Sequence, residues 1–310
     1  MAIRFAASNQ PSRVLTGGLM IIGAMSVIGF VDNLIPFIQQ EAGLFQFQAF
    51  RSAICCTIIV LYCLIRKQGL RPKRYWAIAV RGFLMAWAIL LYFGALSLMP
   101  IAEAGATLFS APIFVLVFSV IVFRMKIGVW RIVAVAIGFT GVLLVLKPSP
   151  DNIGFLTVLP LLAGIFYALG QLATRHLCSE ENTAVVMMGF FLMIGSLSLL
   201  MLAILHVLEL PPEVVDSAPF FLQPWEVPTK QFLFFVLIQA MGSIVGVMGL
   251  VRGYQIAEPT YVGIFEYSFL IFAGFWGWML WGQIPDAVAF VGIIAIVTAG
   301  VMIALRSRQQ

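Results

Sequence analysis

Residues 287–305 read AVAFVGIIAIVTAGVMIAL, and Arg306 closes the run. A stretch of this length is close to the ~20 residues that an α-helix needs to cross the hydrocarbon core of a bilayer. Nine more apolar runs precede it, at about 14 to 37, 46 to 65, 75 to 98, 102 to 123, 128 to 146, 153 to 174, 184 to 206, 230 to 254 and 259 to 281. Hydrocarbon cannot hydrogen-bond a backbone, so each run must satisfy its own amides as a helix. The alternation of a β-barrel is not found in them. Short polar breaks at Met99-Pro100 and Ala257-Glu258 separate the fourth and ninth spans from their predecessors. The expectation is an all-α polytopic membrane protein with ten transmembrane helices.

Composition agrees. Of 310 residues, 62% are hydrophobic and only 10% charged, with a mean hydropathy of +1.05, which excludes an ordinary soluble fold. The net charge of +5 is not a nucleic-acid footprint, because the basic residues stand at successive span boundaries instead of along one face. Arg4 and Arg13 precede the first span. Arg66, Lys67, Arg71, Lys73 and Arg74 fill the second loop, Arg124, Lys126 and Arg131 the fourth, and Arg306 and Arg308 end the chain. The alternate loops hold only Lys147 and Lys230, so the positive-inside rule places both termini in the cytoplasm of a multi-pass plasma membrane protein, a bacterial inner membrane being the expected setting. The first apolar run is long and lacks an Ala-x-Ala-like site, so it reads as a membrane helix and not as a cleaved leader. Cys55, Cys56, Cys63 and Cys178 lack metal-ligand spacing and read as free structural thiols. His176 and His206 belong to no catalytic pattern, and no cofactor is expected.

The chain repeats itself. Ala95 to Lys147 laid beside Tyr254 to Arg306 shows in each an Ala-Glu break, a long apolar helix, a short polar turn and a Gly-bearing helix. Residues 1–150 and 151–310 thus form two blocks of five spans. Five is odd, so the repeats insert with opposite orientation, an arrangement that places a substrate site at their interface near the midplane.

These segments resemble the EamA family of the drug/metabolite transporter superfamily. The resemblance is carried by Phe50-Arg51-Ser52, Arg81-Gly82, the run from Ala95 to Ala104, Ala111 to Phe114 and Ile137 to Val145 in the first half. In the second half it rests on Phe265 to Ser268 and Gly277 to Asp286. It implies ten helices in two five-helix repeats and export or import of a small organic metabolite. Two features depart from the family pattern. Gly-Glu at the turn after each repeat's fourth helix is replaced by Arg124-Met125 and Gly282-Gln283, and the first-helix lysine four residues after an Asp is replaced by Pro36 after Asp32.

Ionisable residues inside membrane spans are the candidate site, because burying them in hydrocarbon is costly without a polar cavity or a partner. Asp32 shares a helical face with Met25, Gly29 and Pro36, and Glu266 with Gly263, Leu270, Ala273 and Gly277. Glu266 can exchange protons or pair with Arg51 or Arg81; Tyr267 stands beside it. Arg51 lies about one turn inside the extracytoplasmic end of its span, where it can pair with Asp32 or Glu266 or attract an anionic substrate group. Arg81, Met85, Ala88 and Tyr92, with Trp87 nearby, make one stripe, and Tyr167, Gln171 and Arg175 another. Both suit an amphipathic solute, although Arg81 and Arg175 lie near cytoplasmic helix ends where snorkelling is the plainer expectation. Glu103 shares a face with Thr107, Ser110 and Phe114.

Together these readings describe a secondary transporter of a small organic solute, amino-acid-like, nucleotide-linked or drug-like. It works by alternating access, with or without protons, as a monomer or homodimer in contact with membrane lipid. No phosphate-binding Gly-x-x-x-x-Gly-Lys-Ser/Thr segment calls for ATP. The alternative is a non-transporting scaffold or a membrane-embedded enzyme.

Overall fold

The structure, a computed structural model, describes residues 10–96, 105, 107–148, 158–208, 210–282 and 284–306. The described residues are helical, without strands. In chain order the helices are α1 (Gln10–Asp32), α2 (Ile35–Gln39), α3 (Leu44–Ile65), α4 (Tyr75–Leu96), α5 (Ala111–Ile121), α6 (Val129–Leu146), α7 (Val158–His176) and α8 (Thr183–Leu208). They continue with two short loop helices, α9 (Pro212–Ser217) and α10 (Pro219–Leu222), then α11 (Lys230–Ile256), α12 (Pro259–Val262), a 3-10 segment (Gly263–Tyr267), α13 (Ser268–Trp281) and α14 (Ala287–Arg306). Among the described residues, nine helical spans are long and apolar enough to cross a membrane, and Ala111–Ile121 is a shorter apolar helix. The predicted break at Met99-Pro100, and Glu103 with it, lie outside the described residues.

The two predicted spans that carry Asp32 and Glu266 are not continuous helices. The first run bends at Asn33 and Leu34 before α2 resumes it. Pro36 has no N–H to give to the carbonyl four residues back, that of Asp32, so the α-helical ladder stops there. The ninth run is three pieces in series, α12, the 3-10 segment and α13. The break at Ala257-Glu258 falls where the sequence placed it, with Pro259 opening α12.

The closest packing runs between the two halves of the chain. Helix α1 packs on α11 and α4 on α7; α1 also meets α13 as α5 meets α7; α4 lies on α8 and α3 on α11; and α3 pairs with α8 and α6 with α14. One buried cluster is centred on α3, α4 and α8, including Phe47, Phe191 and Ile194, and another on α1, α6, the 3-10 segment and α14. Large apolar side chains such as Leu61, Ile121, Leu199 and Phe290 face outward, as surrounding hydrocarbon requires. Polar latches tie the helix ends. Glu181 accepts the backbone N–H groups of Lys73 (3.0 Å) and Arg74 (2.8 Å) at the start of α4. Lys147, at the end of α6, pairs with Asp286, just before α14. That ammonium, together with the Ala289 N–H, holds the Asp286 carboxyl below its ordinary range.

The α6 and α14 crossing depends on two glycines. A Cβ on Gly141 would stand 2.6 Å from the Gly292 carbonyl oxygen, and a Cβ on Gly292 equally close to that of Gly141. Backbone cannot step aside as a side-chain tip can, so Gly141→Ala should cost about 1–3 kcal/mol. Gly274→Ala, with nothing within 4 Å of its new methyl, should be neutral or slightly stabilising. Thermal unfolding of the two purified variants in detergent separates them; equal midpoints would refute the close crossing.

The turn after α5 yields a second prediction. Gly282 closes α13 in the left-handed conformation (φ 68°), whereas the turn after α5 puts Arg124 there (φ 50°). A side chain in that region costs about 1 kcal/mol, so Arg124→Gly should raise thermal stability by up to that amount. A lowered midpoint would mean that the guanidinium contributes more than the strain takes away.

Candidate functional site

A cavity enclosing about 160 Å³ of water-accessible space lies among α1, α3, α4, α5, α7, α8, α11, the 3-10 segment and α13. One buried water needs only ~15 Å³, so the space admits a solute with its hydration. Its walls are mainly apolar and aromatic, and they carry two carboxylates, Asp32 and Glu266, and two guanidiniums, Arg51 and Arg81.

The two irregular backbone segments place the carboxylates. Asp32 is the last residue of α1, at the Pro36-induced break, where the side chain of Asn33 donates to the Gly29 carbonyl (2.8 Å) and to that of Ala273 (3.1 Å). Gln239 on α11 completes the junction, its Nε2 donating to the Val31 carbonyl (3.0 Å) and to Asp32 Oδ1 (3.1 Å), while its Oε1 accepts from Ser243 (3.1 Å). Glu266 sits in the 3-10 segment, 6% exposed. It accepts a hydrogen bond from the Tyr254 hydroxyl (2.5 Å) and one from Gln171 Nε2 (3.4 Å). The expected pairing of Glu266 with Arg51 or Arg81 is not made: its partners are neutral donors from α11 and α7. The 3-10 winding also alters the expected face. Cavity contact passes from Glu266 to Phe269, three residues on, while Ala273 packs its backbone against Gly29 of α1.

The guanidiniums differ from each other. Arg81 is 2% exposed; its Nε donates to Thr174 Oγ1 (3.1 Å), its Nη1 reaches the Val186 carbonyl (3.5 Å), and it lies 5.7 Å from the Phe190 ring centroid. The snorkelling expected of Arg81 is therefore corrected: α7 and α8 close over this part of α4, and the side chain turns into the bundle. Arg51, 7% exposed, interacts with the Phe47 ring at 5.2 Å and senses Asp32 electrostatically. The expected ion pair is absent, since among the described residues no carboxylate lies within 4 Å of it, and its buried Nε has no hydrogen-bond partner.

Tyr92, Tyr167 and Gln171 also line the cavity, and the Gln171 Oε1 is buried without a partner. Three predicted residues do not line it. Trp87 is two positions from Met85, about 200° round α4, and packs toward Phe83. Tyr267 points away from its neighbour Glu266, its ring occupying the place where a Gly138 side chain would stand. Arg175 donates from Nη1 to the Gln255 carbonyl (2.5 Å) at the end of α11. Glu103 lies outside the described residues. The sequence reading missed Gln239, Ser243 and Tyr254, uncharged residues on α11; their signal is polarity at one-turn spacing, Gln239 to Ser243.

Residues 15–147 match the EamA-like transporter family. A pseudopaline exporter of Pseudomonas aeruginosa is 27% identical over 293 residues, 92% of this chain and 94% of its own length. A riboflavin transporter of Vibrio cholerae is 25% identical, covering 91% of each protein. An S-adenosylmethionine uptake transporter of Rickettsia prowazekii is 22% identical over 85% of this chain and 82% of its own. A solved crystal structure shares the fold at a TM-score of 0.76 and 18% identity, over 97% of this chain and 99% of the other. The chain is a small-metabolite transporter, its helical bundle packed around a mainly apolar cavity with charged residues on its wall, and it is similar to the EamA-like transporter family over residues 15–147.

Proposed function

We propose that the central cavity is the substrate site of a secondary transporter, and that residues 1–150 and 151–310 are inverted repeats that rock around it in alternating access. The observation that carries this reading is the position of Asp32, Arg51, Arg81 and Glu266 on one solute-sized space where helices of both halves meet. Intramembrane charges facing a common cavity mark a solute route. The packing supports the repeat. Exchanging α1 with α7, α3 with α8, α4 with α11, α5 with α13 and α6 with α14 turns each of the main interhelical contacts into another of them or into itself.

Glu266 is the proton-exchange candidate. Neutral donors hold it, so taking up a proton changes the charge of the cavity without breaking an ion pair. Tyr92, Tyr167 and Gln171 serve as orienting contacts. The lysines and arginines at alternate helix ends support a bacterial inner-membrane protein with both termini on the cytoplasmic side, acting as a monomer or homodimer. Relatives that export pseudopaline or take up S-adenosylmethionine support a carrier over a scaffold or an enzyme, and they leave both directions of movement open.

In proteoliposomes screened with radiolabelled metabolites that include riboflavin and S-adenosylmethionine, the protein should move at least one. Glu266→Gln and Asp32→Asn should each lower the initial rate about tenfold or more, the scale of a lost charged hydrogen bond, while melting temperatures stay near that of the parent. Normal rates in both variants would remove the carboxylates from the mechanism. An imposed pH gradient should change the rate of the parent protein and leave that of Glu266→Gln unaltered. Indifference of the parent would identify facilitated movement and end the proton-coupled reading.

A further inference from the structure

On one side the cavity ends at a polar cluster that its lining does not use. On α7 the wall residue Gln171 is followed one turn later by Arg175, on α11 the wall residue Leu250 is followed by Tyr254 and Gln255, and Glu266 is preceded by Thr260 and Tyr261 of α12. Gln255, 3% exposed, ties this end of the second half together. Its Nε2 donates to the carbonyls of Cys178 (2.8 Å) and Glu181 (3.0 Å), its Oε1 accepts from Thr183 (2.8 Å), and its carbonyl accepts from Arg175. The helix ends of the second half thus form a stiff platform.

A guanidinium of the first half is fastened onto it. Arg131, in the first turn of α6, donates from Nη1 to Thr260 Oγ1 (2.9 Å) and from Nη2 to the Tyr261 hydroxyl (2.5 Å), and lies 3.7 Å from the centroid of the Tyr261 ring. Both acceptors are buried. Glu258, between α11 and α12, feels Arg175 and Arg131 electrostatically. Among the described residues neither guanidinium lies within 4 Å of its carboxylate, and its buried Oε1 has no hydrogen-bond partner. The choice of acceptors matters: pulling a guanidinium off a buried carboxylate strands two charges, whereas leaving two neutral hydroxyls strands one, for which Glu258 stands ready. Arg306 lies 4.2 Å from the ring centroid of Trp130, the neighbour of Arg131, so the junction is on the same face of the molecule as the end of α14.

We propose that Arg131 is the positioning residue of a gate on that face: its fork on Thr260 and Tyr261 holds α6 against α12 while the cavity is closed there, and its transfer to Glu258 opens the cavity toward the C-terminal side. The proposal rests on the reading of the cavity as a substrate site worked by alternating access. The gate joins the cavity chemistry through α11, where Tyr254, bonded to Glu266, is adjacent to Gln255, the centre of the platform.

The test reads sidedness. Val247, on the cavity wall, is replaced in Val247→Cys on a background with Cys55, Cys56, Cys63 and Cys178 changed to alanine, and a membrane-impermeant maleimide is applied separately to each face of membrane vesicles. A protease-cleavable tag after Gln310 identifies the C-terminal face. Tyr261→Phe keeps the ring and removes one accepting oxygen, so it should raise the labelling rate from the C-terminal face about tenfold, the scale of a lost hydrogen bond to a charged group, without raising it from the other face. Arg131→Met should do at least as much, and Arg131→Lys, which keeps the charge without the fork, should fall between. Glu258→Gln, which weakens the open-state acceptor, should label more slowly from the C-terminal face than the parent. Unchanged rates in Tyr261→Phe and Arg131→Met overturn the gate, as does faster labelling from both faces together, which marks general loosening. Faster labelling of Glu258→Gln from the C-terminal face overturns the transfer to Glu258. Equal labelling from both faces in the parent and in every variant sinks the gate and leaves the cavity as a solvent-reached site, whereas a thiol that neither face reaches in any of them sinks the gate and the substrate-site reading together.

Discussion

Hydrocarbon offers no hydrogen bonds, so the backbone polar groups that this chain carries into the membrane must find their partners within the protein or in a water-filled cavity. The rule is tightest where helices are interrupted. Around the break at Asn33 and Leu34, side chains bond the neighbouring carbonyls: Asn33 donates to those of Gly29 and Ala273, and Gln239 to that of Val31. At the second interruption Ser268 donates to the Phe265 carbonyl (2.7 Å). Both breaks lie inside the bundle against the cavity, where protein and water can answer for the irregular backbone, and each sets a carboxylate on the cavity wall. The cost of breaking a helix in a membrane and the position of the polar site are therefore one problem with one solution.

Much of this was legible in the sequence, for reasons that separate the readable from the unreadable. Apolar runs bounded by Lys and Arg announce spans directly, because length and charge are properties of the run alone. Asp32, Arg51, Arg81 and Glu266 stood out because a charge inside such a run is rare whatever surrounds it. Their partners were not legible. Whether Arg81 reaches outward or turns inward depends on α7 and α8 covering it, a tertiary fact. Glu266 could not be matched with Tyr254 by charge counting, since the partner is neutral. Tyr267 and Trp87 were misplaced relative to the cavity by a simpler cause: a face assigned at α-helical spacing does not survive a 3-10 segment in one case and lies across the helix from the cavity in the other.

Under the proposed repeat, packing and chemistry obey different symmetries. The interhelical contacts are mirrored between the halves, with α1 on α11 answered by α7 on α4. The charges are not mirrored, because Asp32, Arg51 and Arg81 come from the first half and Glu266 alone from the second. A mirrored skeleton gives two packings of comparable energy, which a carrier needs in order to alternate. Mirrored charges would bring duplicated like-charged pairs into one buried space and raise the cost of holding it closed. Single copies avoid that repulsion and make the cavity polar in one direction, from the open valences of Asp32 and Arg51 to the hydrogen-bonded cluster of Glu266, Tyr254 and Gln171. A solute entering such a space meets a fixed orientation whichever side it enters from, so symmetry in the helices and asymmetry in the side chains together let one binding geometry serve both faces of the membrane.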